Sequence, residues 1–340
     1  MLYLLCLGLL MGGSLETDLE IDLAKYEIFA AAPVTVTVNG TMLVIQEDDC
    51  QVLVFGKDGS LIRRIGNKGQ GPGEFQRPNG LYPIDGENNF WVNDPANGRY
   101  SRWNLEGKVL EEVSYPPGMF WFINFIPNSQ LVFARDVAGH MTGRPHVSRY
   151  DLKTKQEVPL WEKPLDAKPK LTRGDLDGRP VARLLEWDPK IVLATGKSFA
   201  VMTWNASDMV HKVDFEGNTI GKPFKIVMPR SPLTKDDVER QIKEWPEAIQ
   251  RALRPNIVMR DEWPLVWLMR VDTEDRIWCW SFPRDGSQPL HTKVYSKDGK
   301  DLATFRMPYG ANLITKDFLY VMAVDANKET ATLQRVKYSL

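Results

Sequence analysis

Cysteine and histidine are scarce in this sequence, with 3 cysteines and 4 histidines among 340 residues. His140 and His146 lie near one another, but no His-x-x-x-His or His-Glu-x-x-His spacing occurs. Because transition metals in proteins are usually held by clustered histidines and cysteines, we expect no tightly bound metal and no cofactor. A Gly-x-Ser-x-Gly nucleophile element is also missing, which removes one common sign of a serine hydrolase.

An excess of positive or of negative charge is missing as well. Lys and Arg number 43 against 44 Asp and Glu, which gives a formal net charge of −1. Proteins that bind nucleic acid or anionic membranes usually carry a basic excess, so we expect no nucleic-acid partner. Hydrophobic residues make up 43% of the chain and charged residues 26%, which is ordinary for a soluble globular protein.

Long apolar runs are absent except at the amino terminus. Residues 2–11 are almost wholly apolar, and the small residues Gly12, Gly13 and Ser14 follow. This run is too short to span a bilayer, but it resembles the hydrophobic region and cleavage zone of a secretory signal, without the usual positive residues before it. We therefore predict a leader segment over residues 1–14, no integral membrane span, and a periplasmic or secreted protein. A buried N-terminal strand is the alternative.

One strand–turn–strand pattern recurs along the chain. An apolar or aromatic run ends in an acidic residue followed by glycine, and a second run begins, as at 58–59, 106–107, 216–217 and 298–299. Asp-Gly between alternating runs is the strongest short-range signal for a β-hairpin. The first copies recur at about the period of propeller blades, so the pattern predicts an all-β protein built from repeated hairpins.

A glycine-rich stretch at residues 65–78 contains four glycines and two prolines. This composition excludes a helix or an inner strand and predicts a tight loop between two strands. No helical pattern follows the loop, and Pro72 lacks a backbone donor, so the requirements of a phosphate-binding loop are not met. We expect Gly71 and Gly73 to be structural, and Phe75 to pack between neighbouring units.

An aromatic strand and a turn with the spacing D-x-x-N-x-R follow this loop, at Asp94, Asn97 and Arg99. With the G-x-G-P-G-x-F loop before it, this segment resembles the signature of NHL-type six-bladed β-propellers of the bacterial, exported type. The resemblance covers residues 60–105. The resemblance implies the propeller fold but indicates no particular activity. Within the turn, Asp94 and Asn97 are expected to hydrogen bond to their own backbone.

The strand pattern divides residues 15–340 into six blades of a propeller. The sixth begins at Ala311 and lacks an outer strand at the C-terminus, and the alternating segment 19–23 is predicted to fill that place and close the ring. Cys50 and Cys279 then fall in the first and fifth blades, so we predict free, buried thiols. The first five blades run about 33–66, 78–113, 120–160, 188–226 and 264–307.

Two stretches do not fit the blades. Residues 161–187 are rich in Lys, Pro, Arg and Asp and are interpreted as a long loop between blades 3 and 4. Residues 228–262 carry a capping box at Thr234 and Asp237, followed by apolar residues at helical spacing. Pro246 should kink this helix or start a second one. We expect the apolar stripe to dock on the propeller.

The position of the candidate site follows from the up-and-down order of the strands in each blade. In an up-and-down blade, the turns between the second and third strands emerge on the same end as the connections between blades. All the long loops therefore share one end, and loops on a rigid scaffold often carry function. Arginine and tryptophan beside carboxylates suit a polar or sugar-like ligand. The residues predicted to line a shared depression there are Arg135, Asp136, His140, Trp204, Asn205, Arg284 and Asp285.

These features favour an exported, non-catalytic, monomeric propeller that binds a polar small molecule, a saccharide or a protein partner at this end. The alternative is a propeller enzyme, a metal-assisted lyase or hydrolase, that uses the central channel. A third reading is a scaffold that contacts proteins through the helical segment 228–262.

Overall fold

The structure is a computed structural model that describes residues 14–37, 39–83, 88–115, 121–126, 130–135, 145–162, 172–183, 185–282, 290–307, 310–325 and 329–340. Two α-helices, α1 (Lys235–Lys243) and α2 (Glu247–Leu253), and three 3-10 turns, Leu23–Tyr26, Pro95–Asn97 and Arg254–Asn256, accompany the strands. The strands in chain order are β1 Leu15–Asp22, β2 Val34–Val36, β3 Met42–Gln46, β4 Gln51–Phe55, β5 Leu61–Ile65, β6 Gly80–Pro83, β7 Asn89–Asp94, β8 Arg99–Asn104, β9 Val109–Ser114, β10 Trp121–Ile126, β11 Gln130–Arg135, β12 His146–Asp151, β13 Glu157–Glu162, β14 Thr172–Leu176, β15 Arg179–Arg183, β16 Ile191–Thr195, β17 Phe199–Trp204, β18 Met209–Asp214, β19 Phe224–Lys225, β20 Leu268–Val271, β21 Ile277–Trp280, β22 Leu290–Tyr295, β23 Asp301–Met307, β24 Leu313–Ile314, β25 Phe318–Asp325 and β26 Thr330–Tyr338.

Six antiparallel four-stranded sheets form the blades of a propeller, as the sequence predicts. From the inside outward they are β2–β5, β6–β9, β10–β13, β16–β19, β20–β23, and finally β24, β25, β26 and β1. The innermost strands contact one another in order around the ring, and β24 meets β2. These strands therefore enclose a central channel.

The N-terminal strand closes the ring, which confirms the prediction. β1 pairs antiparallel with β26 from Leu15–Tyr338 to Asp22–Thr332, with a register shift between Thr17 and Leu19. At this shift Asp18 accepts hydrogen bonds from Arg335 at 2.9 and 3.0 Å. The last blade thus combines the two ends of the described chain in one sheet.

Apolar side chains fill the spaces between blades. Phe75 is fully buried in a cluster that joins blade 1 to blade 2, and its ring lies 5.1 Å from that of Trp103. Phe75 therefore anchors two blades, as predicted. Cys50 and Cys279 are free, buried thiols, again as predicted, and burial raises the pKa of both.

The helical insertion also agrees with the sequence. Thr234 and Asp237 form the capping box of α1, and α2 begins directly after Pro246. Val238 and Ile242 are buried against Trp187 and other apolar residues of the inter-blade connections. The apolar stripe of α1 therefore docks on the propeller. No helix in the described part of the chain is long and apolar enough to cross a membrane.

The interpretation of residues 161–187 as a loop is wrong over residues 172–183. There β14 and β15 form an antiparallel hairpin, whose turn residues Asp177 and Gly178 both have positive φ, at 52° and 81°. Asp-Gly favours this turn, and Asp175 accepts a hydrogen bond from Gly178 N at 2.7 Å. At Gly174 the hairpin backbone packs closely on Ala252 of α2, so the two insertions form one unit.

Candidate functional site

The two ends of the propeller differ. We use the name loop-rich face for the end that carries the turns after β3, β7, β11, β17, β21 and β25 and the connections between blades. The opposite face carries the turns that join the first to the second strand of each blade and the third to the fourth strand of the first five blades.

The glycine-rich loop on the loop-rich face uses its backbone donors internally. Gly69 N donates to Phe75 O, and Phe75 N donates to Asn67 O, both at 2.8 Å. Gly71 N donates to the Glu74 carboxylate at 2.8 Å. A phosphate site needs several backbone N–H groups directed at the ligand. Three of the backbone donors of this loop are used within the loop, which matches a structural role.

Asp94, at the end of β7, holds the end of this loop. Its buried carboxylate accepts hydrogen bonds from Gln76 N at 3.0 Å and Arg77 N at 2.9 Å. It also accepts one from Asn97 Nδ2 at 2.7 Å. The expectation that Asp94 and Asn97 serve their own turn is therefore incomplete, because the backbone partners of Asp94 belong to the glycine-rich loop.

Asn97 and Arg99 complete the contact between turn and loop. Asn97 Nδ2 donates to Gly69 O at 3.0 Å, and Arg99 Nη2 donates to Gly71 O and Glu74 O at 2.6 and 2.8 Å. The D-x-x-N-x-R motif and the glycine-rich loop are thus two halves of one structural clamp. Neither half is left available as a ligand site.

Most of the predicted site residues fall where the structure gives no side chain. For Arg135 only the backbone position at the end of β11 is described. Trp204 and Asn205 are described, and both are buried at the turn after β17. The structure therefore neither brings the predicted set together nor separates it. The members outside the described residues are Asp136, His140, Arg284 and Asp285.

Asn205 connects three segments of the loop-rich face. Its N donates to Lys190 O at 3.0 Å, and its Oδ1 accepts from Lys190 N at 2.8 Å. Its carbonyl accepts from Leu265 N at 2.9 Å. Among the described residues its Nδ2 has no hydrogen-bond partner although it is buried. Asn205 thus fixes where the inner strands of blades 4 and 5 begin.

A cluster of packed aromatic rings lies beside Asn205. The rings of Trp187 and Trp263 meet edge to face at 6.1 Å, and Phe282 lies 5.3 Å from Trp263. Lys190 Nζ lies 5.9 Å from the Phe282 ring centre. Nearby Asp188 is buried, and burial raises the pKa of its carboxyl. The rings of Trp187 and Trp263 are buried, so this part of the loop-rich face has an apolar layer.

The central channel holds two polar groups that sequence analysis missed. Tyr82 lies on β6, the innermost strand of blade 2, and Arg270 lies on β20, the innermost strand of blade 5. These blades stand opposite each other in a ring of six, and the charge of Arg270 acts on the Tyr82 hydroxyl. The signal in the sequence is slight: one charge within the four-residue strand Leu268–Val271.

Both groups lean toward the loop-rich end of the channel. A Cβ at Gly80, where β6 begins, would lie 2.8 Å from the Tyr82 hydroxyl oxygen. Arg270 Nε points to the carbonyl of Asn312, which precedes β24, at 3.4 Å. Because the innermost strands start at the loop-rich face, both groups lie toward the end at which a molecule from that face would enter.

A cleft of about 420 Å³ lies on the opposite face between blades 3 and 4. Arg149 and Glu216 in its wall form a long ion pair at 4.0 Å. Its lining residues are Ile126, Gln130, Arg149, Lys197, Ser198, Phe215 and Glu216. Within the described part of the chain, no group of three or more His, Cys, Asp or Glu side chains is arranged to hold a metal ion.

Comparison with known proteins agrees with the fold. The model of a family described as a 6-bladed beta-propeller matches residues 33–142. A member of the DUF4221 family from Bacteroides vulgatus superposes with a TM-score of 0.57 at 10% identity, over 96% of this chain and 98% of that one. A Bacteroides fragilis protein predicted to be exported superposes with a TM-score of 0.50 at 12% identity, over 91% and 90%.

Virginiamycin B lyase from Staphylococcus aureus is a more distant structural neighbour. Its TM-score is 0.46 at 11% identity, over 96% of this chain and 99% of the lyase. Among curated proteins, none matches this sequence. The family match and the two Bacteroides structures agree with the six-bladed β-propeller formed by the sheets of this protein.

Proposed function

We propose that this protein is an exported, non-catalytic binding propeller that takes a polar ligand into its channel from the loop-rich face. The observation that carries the proposal is the pair Tyr82 and Arg270. They lie on the innermost strands of opposite blades, and the two hydrogen bonds of Arg270 within the described residues go to backbone carbonyls. Propeller channels are concave sites with convergent polar groups, which is the usual form of a ligand pocket.

The opposite face of the propeller is less suited to bind a ligand. Its cleft is open between two blades, and the Arg149 and Glu216 side chains in its wall already pair with each other. A ligand there would have to compete with an existing ion pair. The predicted loop residues of blades 3 to 5, Arg135 and Arg284 among them, stay in the proposal as the outer ring of the site. The export proposal rests on the apolar segment 2–11.

The first test is a melting-temperature screen with mono- and disaccharides and small polar metabolites. A true ligand at a hundredfold excess over its Kd should stabilise the protein by about 2.7 kcal/mol. We expect this stabilisation to fall in Arg135→Ala and Arg284→Ala, on the loop-rich face. The matched controls Gln130→Ala and Lys197→Ala, in the opposite cleft, should respond like the wild type. A ligand whose effect survives the first pair and is lost in the second would place the site on the opposite face.

A further inference from the structure

Arg270 is an enclosed guanidinium without a carboxylate partner. Its side chain is only partly accessible, and its two hydrogen bonds go to backbone carbonyls, Nη1 to Met269 O at 3.1 Å and Nε to Asn312 O at 3.4 Å. Among the described residues no acidic group forms an ion pair with it. Its Nη2 and one Nη1 hydrogen stay available to a molecule in the channel.

Three other arginines in the described part of the chain whose side chains are mostly covered form ion pairs. Arg276 meets the buried Asp272 at 2.6 Å, Arg335 meets Asp18 at 2.9 Å, and Arg99 meets Glu112 at 3.4 Å. Each of these arginine side chains is less than a fifth exposed. Burying a charge without a partner is costly. Arg270 has no such carboxylate partner among the described residues, and a bound anion would supply one.

Tyr82 offers a second donor from the innermost strand of the opposite blade. Its ring packs at 4.9 Å on that of Phe125 in blade 3, its hydroxyl lies near Gly80 at the start of β6, and no hydrogen bond of that hydroxyl occurs within the described part of the chain. Burial raises the pKa of Tyr82 to about 12 and lowers the pKa of Arg270 to about 10. At neutral pH the hydroxyl is thus neutral, the guanidinium is charged, and both groups donate.

We propose that Arg270 and Tyr82 form an anion site in the central channel and that the ligand of this propeller carries a carboxylate. The inference rests on the proposed function and specifies, in addition, that the ligand is negatively charged. A guanidinium edge matches the two oxygens of a carboxylate. Among the described residues one cation acts at this point, so a monoanion is neutralised, whereas a phosphate dianion would keep an unpaired charge in the channel.

The test is a ligand-observed NMR titration with acetate, acetamide and inorganic phosphate in chloride at constant ionic strength. Acetate and acetamide have nearly the same shape, so their difference reports charge. We expect saturable binding of acetate to the wild type and at least about tenfold weaker binding of acetamide. Arg270→Gln should weaken acetate about 30-fold or more, and Tyr82→Phe should weaken it several-fold. Arg149→Gln, in the opposite cleft, should leave acetate binding unchanged.

Arg270→Lys serves as the charge-conserving variant and should retain part of the acetate affinity, which also guards against a folding defect in Arg270→Gln. Equal binding of acetate and acetamide, undiminished binding in Arg270→Gln, or no acetate binding by the wild type would each overturn the anion site. Tighter binding of phosphate than of acetate would overturn the assignment of a carboxylate ligand. If a neutral ligand from the melting screen still depends on the loop-rich face, only the anion site fails. If nothing binds there, the proposed function fails too.

Discussion

A variant that begins at residue 31 is expected to lose its cooperative melting transition, because it lacks the strand that closes the ring. β1 supplies the whole outer edge of the last blade. Leu23 is completely buried, and Ile21 and Ile28 are nearly so, in the core between blades 6 and 1. Removing three buried aliphatic side chains from the core costs about 2–5 kcal/mol of stability for each. The sum reaches the total stability of a typical domain, about 5–15 kcal/mol.

The matched control is a variant that begins at residue 15. It removes only residues 1–14 and keeps every pair between β1 and β26, so its melting temperature should equal that of the full chain. Thermal unfolding followed by circular dichroism compares the two directly. A cooperative transition near the wild-type temperature for the shorter variant would show that the ring closes without β1.

Gly66→Ala is expected to be strongly destabilising, whereas Gly98→Ala should be tolerated. Both glycines have positive φ, at 86° and 62°, so each alanine pays a similar backbone cost of about 1–2 kcal/mol. A Cβ at position 66 would lie 2.3 Å from the buried Phe75 ring, while one at position 98 meets nothing within 4 Å. Displacing Phe75 should raise the cost of Gly66→Ala to about 3–5 kcal/mol.

Urea unfolding at equilibrium measures both variants, and their difference isolates the contact with Phe75 from backbone strain. Near-equal losses in the two variants would mean that the position of Phe75 adapts and that the glycine-rich loop is not a rigid anchor. For the folded fraction of Gly66→Ala we expect unchanged ligand binding, because the loop closes on itself and not on a ligand.

Local turn chemistry made much of this fold predictable from the sequence. Repeated Asp-Gly turns identify the outer hairpins, and the glycine-rich loop with Asp94 identifies the propeller. The capping box at Thr234 and the stop at Pro246 mark the helices, because caps are short-range signals. The hairpin at 172–183 was missed although its Asp177-Gly178 turn carries the same signal, since its strands are short and rich in charge.

The channel pair could not be predicted from the sequence. Tyr82 and Arg270 are separated by most of the chain, and they lie on the innermost strands of opposite blades only because the ring places blades 2 and 5 opposite each other. The alternation of a strand tells which side chains are buried, but it cannot tell which of them reach into a channel. For the same reason Trp204, predicted to contact ligand, is buried in the core between blades 3 and 4, and its contact with a ligand stays a proposal.

The most direct test of the binding function is native mass spectrometry combined with elemental analysis of the protein purified without chelators. A binding propeller should carry a small polar molecule at up to one copy per chain, released on unfolding and recovered as an organic acid. Zinc, iron and copper should each be far below one atom per chain. A stoichiometric transition metal with no organic ligand would contradict this account and favour the metal-assisted lyase or hydrolase.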